Sequence, residues 1–158
     1  MSRLVLGINS AHADSSAVLV GEQGMIAAIA EERITRNKHC AGFPAEAVRE
    51  VLRLAGASSS DVTDVAVARD PLANLPAKMA FVARDPVRAG RKALERLAVH
   101  RDVSSSNALV AGALGVSERG VRARFHQVEH HLAHVASSYF GSPYERAAGM
   151  SVDGAGDF

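Results

Sequence analysis

Leu4 to Ala30 reads LVLGINSAHADSSAVLVGEQGMIAAIA, and the fold class turns on this run. Leu4 to Ile8 is a short aliphatic stretch with the composition of a core strand, too short for a membrane span and without the cleavage pattern of a signal peptide. Ser16 to Val20 and Met25 to Ala30 repeat the pattern, and Gly21 to Gly24 supply the turn between them. Three strands are therefore expected, the last two forming a hairpin after a loop, Asn9 to Ser15, of small and polar residues.

Downstream, the period changes from two to three or four. Ala47, Val48, Val51, Leu52 and Ala55 recur at i, i+3, i+4 spacing, Pro44 opens the run and Gly56 closes it, which predicts a helix from Pro44 to Leu54 or Ala55 with one buried stripe. Val62 to Ala68 predicts a fourth strand. Arg69 to Arg88 contains Pro71, Pro76 and Pro86 and gives no clean period. Gly90 to Val99 reads as a helix with a solvated charged face and Asn107 to Leu114 as a helix stopped by Gly115. Val121 to Phe125 is expected as a strand feeding a last helix that runs through Tyr139, and Ala147 to Val152 as a short buried strand. Strands that repeatedly precede helices predict an α/β fold.

With 158 residues, 47% of them hydrophobic, the chain suffices for one domain. Eighteen basic residues against 17 acidic ones leave a net charge of +1, so electrostatics call for no nucleic acid partner. One cysteine, Cys40, excludes a disulfide framework and suggests a cytoplasmic protein, and charges interrupt the apolar stretches, so no membrane association is expected.

The candidate chemistry lies at the two ends of the sequence. His130 and His134 are four apart in the last expected helix, with β-carbons about 5 to 6 Å apart on one face, close enough to share a metal. His131 points about 100 degrees away. HxxxH without Glu in its second position is not the zincin signature, and such pairs also occur as solvated or core histidines. Asp153, where the expected strand 147–152 gives way to Gly154 and Gly156, would add a carboxylate; two imidazoles and one carboxylate suit Fe(II), Mn(II) or Zn(II). A fourth ligand would be Asp14 or a residue beyond Phe158. A sequence that stops at such a site is expected to be an incomplete unit.

After the first strand, His12 and Asp14 occupy a common position for ligand groups: Asp14 could accept a proton or orient a water, and His12 could donate to an anion, although an Asx turn with an exposed histidine explains both equally well. Glu31, Glu32, Arg33, Arg36, Lys38 and His39 cluster after the third strand, as a wet loop or as an anion site. There is no GxxxxGK[ST], GxGxxG or nucleophile elbow.

Three blocks, LGINSAHADSSAVLV, AAIAEERITRNKH with a following FP, and FHQVEHHLAHVASSYFGSPYERAAGMSVDGAGDF, together closely resemble the amino-terminal part of the carbamoyltransferase family of nodulation and antibiotic-tailoring enzymes. The resemblance implies the first lobe of an actin, sugar kinase and heat-shock ATPase-like (ribonuclease H-like) domain, similar to the tRNA threonylcarbamoylation metalloprotein. It implies that carbamoyl phosphate and ATP give carbamoyladenylate, whose carbamoyl group passes to a hydroxyl or amine of a small molecule. By the same resemblance His130, His134 and Asp153 are metal ligands, with iron as the metal; His12 and Lys38 line the carbamoyl and phosphate site; Gly154 and Gly156 form the nucleotide-facing turn. The implied partners are a carboxy-terminal lobe and an adenylate-forming domain, neither contained in this sequence, so the chain alone is expected to be inactive. Two alternatives are a self-contained metal-binding or metallohydrolase domain and a non-catalytic lobe completed by a separately encoded half.

Overall fold

The computed structural model of the protein describes residues 3–10, 14–70, 73–86 and 106–152. Five strands form one mixed sheet in the order β3-β2-β1-β4-β5: β1 is Val5–Asn9, β2 Ser16–Gly21, β3 Gly24–Ala30, β4 Asp64–Val67 and β5 Arg124–Gln127. The first three pair antiparallel, whereas β4 joins β1, and β5 joins β4, in parallel. Parallel neighbours require a crossover. Helices α1, Glu31–Thr35, and α2, Ala45–Ala55, lie in the first; α3, Leu75–Arg84, and α4, Ser106–Ala113, lie in the second. The last helix, α5, His130–Phe140, follows β5 almost directly. None of the described helices is long and apolar enough to cross a membrane.

Strand alternation decides the layering. Leu6, Ile8, Ala17, Leu19, Val65 and Val67 are buried in one core with Ala47, Val48, Val51 and Leu52 of α2 and Val110 and Ala113 of α4. Each fully buried Leu or Val contributes about 1.5–3 kcal/mol. Successive strand residues point to opposite faces, so Gly7, Val18, Ala28 and Ala66 form the other face with much smaller side chains. Gly7 pairs with Val18, and a Cβ at Gly7 would stand 2.7 Å from Val18 Cγ1, so close approach rather than a turn calls for glycine there.

Helix α2 starts under a carboxylate supplied from α1. Glu31 is buried, and its Oε2 and Oε1 accept from the backbone N–H groups of Ala47 at 2.7 Å and Glu46 at 3.2 Å. Pro44 is the residue before the helix, and Gly56, at φ +61°, ends it. At the amino-terminal end of the parallel strands, Asp64 is buried and accepts from His126 Nε2 at 2.8 Å, Thr63 Oγ1 at 2.8 Å and Arg3 Nε at 3.1 Å. The hydrogen bonds from His126, Arg3 and Thr63 outweigh burial and, with the charge of Arg124, hold the carboxyl well below the usual range.

The structure corrects several expectations. Residues 147–152 form no strand: they follow an irregular path, with Met150 and Val152 more than four-fifths exposed. An apolar run becomes a strand only beside a neighbour with free hydrogen-bonding groups, and among the described residues this run pairs with no strand. The unreadable stretch contains α3, with Pro76 in its first turn, where a missing N–H costs no helical bond. β5 begins three residues later than expected because Glu118–Gly120 form a short 3-10 helix. The helix expected over Gly90 to Val99 lies outside the described residues.

Candidate metal centre

Helix α5 begins at a side-chain cap. Glu129 accepts from the backbone N–H groups of His131 at 3.0 Å and Leu132 at 2.7 Å. Burial would raise the Glu129 carboxyl, but the two backbone bonds and the adjacent His131 and His130 rings hold it below its ordinary value. The capped first turn sets the position of His130, which is buried, and one turn later His134 is exposed on the same face.

The two imidazoles converge. His130 Nε2 and His134 Nε2 are 3.2 Å apart, and the rings are nearly perpendicular with centroids 4.6 Å apart. Two nitrogens bound to one ion at about 2.0–2.1 Å stand about 2.8–3.4 Å from each other across octahedral and tetrahedral geometry, so the observed spacing fits a shared divalent ion. Among the described residues no third His, Cys, Asp or Glu gathers with them to make a metal-holding group. His12, Asp153, Gly154 and Gly156 lie outside the described residues.

The pair lines an open groove of about 840 Å³ over the small-residue face of the sheet. Gly7, Val18, Ala28 and Ala66 belong to its lining, together with Asn9 from the end of β1 and Ser137 from α5. The absence of bulk on this face creates the space, and α5 lays His130, His134 and Ser137 along its edge.

His131 stays apart from the pair, as its angular offset predicts. Its Nδ1 is 3.3 Å from Ser151 Oγ. One turn along the helix, Gly149 passes so close to Val135 that a Cβ would stand 2.7 Å from Val135 Cγ1. Residues 149 to 151 thus run along α5 toward the end that carries His130. No spacing rule announces the His131–Ser151 contact; the isolated Gly149 inside an apolar run was the available signal of close backbone approach.

In the connection between β1 and β2, Asp14 does not join His130 and His134 in a metal-holding group. Its Oδ1 is 3.1 Å from His39 Nδ1. The loops carrying them are also joined by Ser15, whose N–H and hydroxyl both donate to the carbonyl of Cys40, at 3.1 and 3.0 Å. Lys38 is exposed on the same loop. Sequence reasoning placed His39 only in a charged cluster. Both Asp14 and His39 have positive φ, +69° and +54°, a conformation that Asp and His tolerate better than most residues, but nothing in their spacing pairs them.

The family model described as the carbamoyltransferase N-terminus matches residues 4–158. The chain is 32% identical over 160 residues to the uncharacterized protein sll1178 of Synechocystis sp. (strain ATCC 27184 / PCC 6803 / Kazusa), covering 98% of this chain and 26% of that protein. It is 31% identical over 152 residues to the nodulation protein NolNO of Sinorhizobium fredii (strain NBRC 101917 / NGR234), covering 92% of this chain and 20% of that protein. The chain therefore spans about a quarter or less of the length of these relatives. With a match that runs through all five strands and the histidine helix, the chain belongs to the carbamoyltransferase N-terminal family.

Proposed function

We propose that this chain is the amino-terminal lobe of a carbamoyltransferase that uses carbamoyl phosphate and ATP to form carbamoyladenylate and passes the carbamoyl group to a hydroxyl or amine of a small molecule. The observation that carries the proposal is the convergence of His130 and His134 in the lining of an open groove, in a chain of this family. The sheet order, a three-stranded meander continued by two parallel strands, supports a ribonuclease H-like lobe of the actin and sugar kinase type.

In this reading His130 and His134 hold a divalent ion, Fe(II) by resemblance, with Asp153 as a third ligand. Support for Asp153 comes from the run 149–151, which is anchored on α5 and heads toward its His130 end two residues before the carboxylate. The ion, when bound, supplies positive charge that offsets charge developing on the leaving group. The chain's own residues do the rest: His12, Asp14 and Lys38 line the carbamoyl and phosphate end, and Gly154 and Gly156 form the turn facing the nucleotide. Closure by a carboxy-terminal lobe excludes water from the activated carbamoyl group. The adenylate-forming domain completes the protein, which acts in the cytoplasm on a small-molecule acceptor, with neither nucleic acid nor membrane as partner.

The test uses the natural polypeptide that contains this sequence, supplied with ATP and carbamoyl phosphate. Pyrophosphate release that requires carbamoyl phosphate is the expected result. No such release, with stoichiometric metal bound, would favour a metal-binding domain of another activity.

A further inference from the structure

We infer that His39, oriented by Asp14, is the base that takes the proton of the acceptor hydroxyl during carbamoyl transfer; this deepens the carbamoyltransferase reading and rests on it. His39 Nδ1 stands 3.1 Å from Asp14 Oδ1. An ionised carboxylate only accepts, so Nδ1 carries the hydrogen and Nε2 presents the lone pair. This is the arrangement in which an imidazole is held in one tautomer and can receive a proton at its far nitrogen.

The backbone on both sides of the contact is fixed. Ser15, the residue before β2, is tied to Cys40 through two hydrogen bonds, and the His39 N–H donates to Glu32 Oε2 at 3.4 Å. Asp14 and His39 each adopt positive φ to bring their side chains together. The Asp14 carbonyl accepts from Asn9 Nδ2 at 3.4 Å, and Asn9 lines the groove together with His130 and His134. The dyad is thus one hydrogen bond removed from a residue of the groove lining. Its ring is 76% exposed, open to a hydroxyl group. A second histidine and aspartate pair among the described residues, His126 with Asp64, differs on this point: its carboxylate is buried and also held by Arg3, as befits a strand clamp.

The step balances as follows. The acceptor oxygen bonds to the carbamoyl carbon, and the bond from that carbon to the adenylate oxygen breaks. AMP leaves with the electron pair, and the hydroxyl proton passes to His39 Nε2.

The test compares wild type, His39→Asn and His39→Ala in the natural polypeptide, measuring adenylate formation and carbamoylated acceptor separately. Asn keeps a donor near the Nδ1 position for Asp14 but has no base. Carbamoylated acceptor per adenylate formed is expected to fall about 10²- to 10⁴-fold in both variants. Free imidazole is expected to restore part of the transfer in His39→Ala, which a ring that merely ties two loops together would not allow. Unchanged transfer in the variants, or adenylation and transfer lost in equal proportion without imidazole rescue, would overturn the base role alone. Absence of carbamoyl-phosphate-dependent adenylation in wild type would overturn the carbamoyltransferase reading, and the base role with it.

Discussion

His131 Nδ1 and Ser151 Oγ lie 3.3 Å apart, one helical turn from the point where Gly149 presses on Val135. The two contacts fasten an irregular segment to one face of α5 while the adjacent face keeps His130 and His134 on the groove. Helical geometry produces this division: positions 131 and 135 share one side, 130 and 134 the next.

Ser151→Ala removes the hydroxyl from this anchor without touching a proposed ligand. Metal affinity of the natural polypeptide is expected to fall about 10- to 100-fold, the range for residues that position ligands, with little change in Tm. Calorimetric titration of the metal-free protein with Fe(II) under anaerobic conditions measures it, and unchanged affinity would show that the segment does not position Asp153.

His134 and His130 differ in burial, and their alanine variants should differ accordingly. His134 is exposed, so His134→Ala is expected to lose bound metal by more than the outer-shell range of about 10- to 100-fold while the apo-protein keeps its Tm. His130 is buried, so His130→Ala adds a stability loss from the space it leaves. Metal analysis alongside thermal melts separates the two; full metal content in His134→Ala would mark that ring as a surface residue.

Gly7→Ala should destabilise the sheet by about 1–3 kcal/mol, because the new methyl would sit 2.7 Å from Val18 Cγ1 in the paired strand. A second substitution, Val18→Ala, removes the obstructing atom. Denaturant melts of the two single variants and the double variant are expected to show a coupling that recovers part of the loss. Additive losses would mean that the strain at Gly7 lies elsewhere.

The elements were legible where local periodicity and burial agreed. Leu4 to Ala30 announced three aliphatic strands, of which β1 and β2 alternate between a core face and a face of small residues, and Ala47 to Ala55 announced α2 because its apolar stripe meets the sheet. Long-range partners were not legible. Nothing in the sequence around Glu31 reveals a carboxylate that caps a helix 16 residues later, and Asp64 gathers Arg3 from ahead of β1 and His126 from β5, both far away in the chain. The expected strand at 147–152 shows the converse: its composition was apolar, but pairing needs a neighbour, which composition does not supply. In the candidate site, the His130–His134 pair follows from helical spacing, whereas the Asp14–His39 contact depends on two loops folding against each other.

Asp64 gives the acid stability of the sheet a specific dependence. Hydrogen bonds from His126, Arg3 and Thr63 and the charge of Arg124 hold the folded-state carboxyl below its ordinary value of 3.8. A depressed folded value means that the unfolded chain takes up the proton first. The stabilisation is therefore complete above the ordinary value and is lost as pH falls from 3.8 through the lower folded value. Asp64→Asn keeps the shape but cannot ionise. The variant is expected to melt at lower temperature than wild type at neutral pH, and the gap should narrow on acidification below the ordinary carboxylate value. Arg3 and Arg124 are largely exposed, so water can solvate them once the charge is removed and the variant should still fold. Thermal melts of both proteins across that range measure the difference, and parallel acid profiles would show that the clamp holds the strands by shape and hydrogen bonding without its charge.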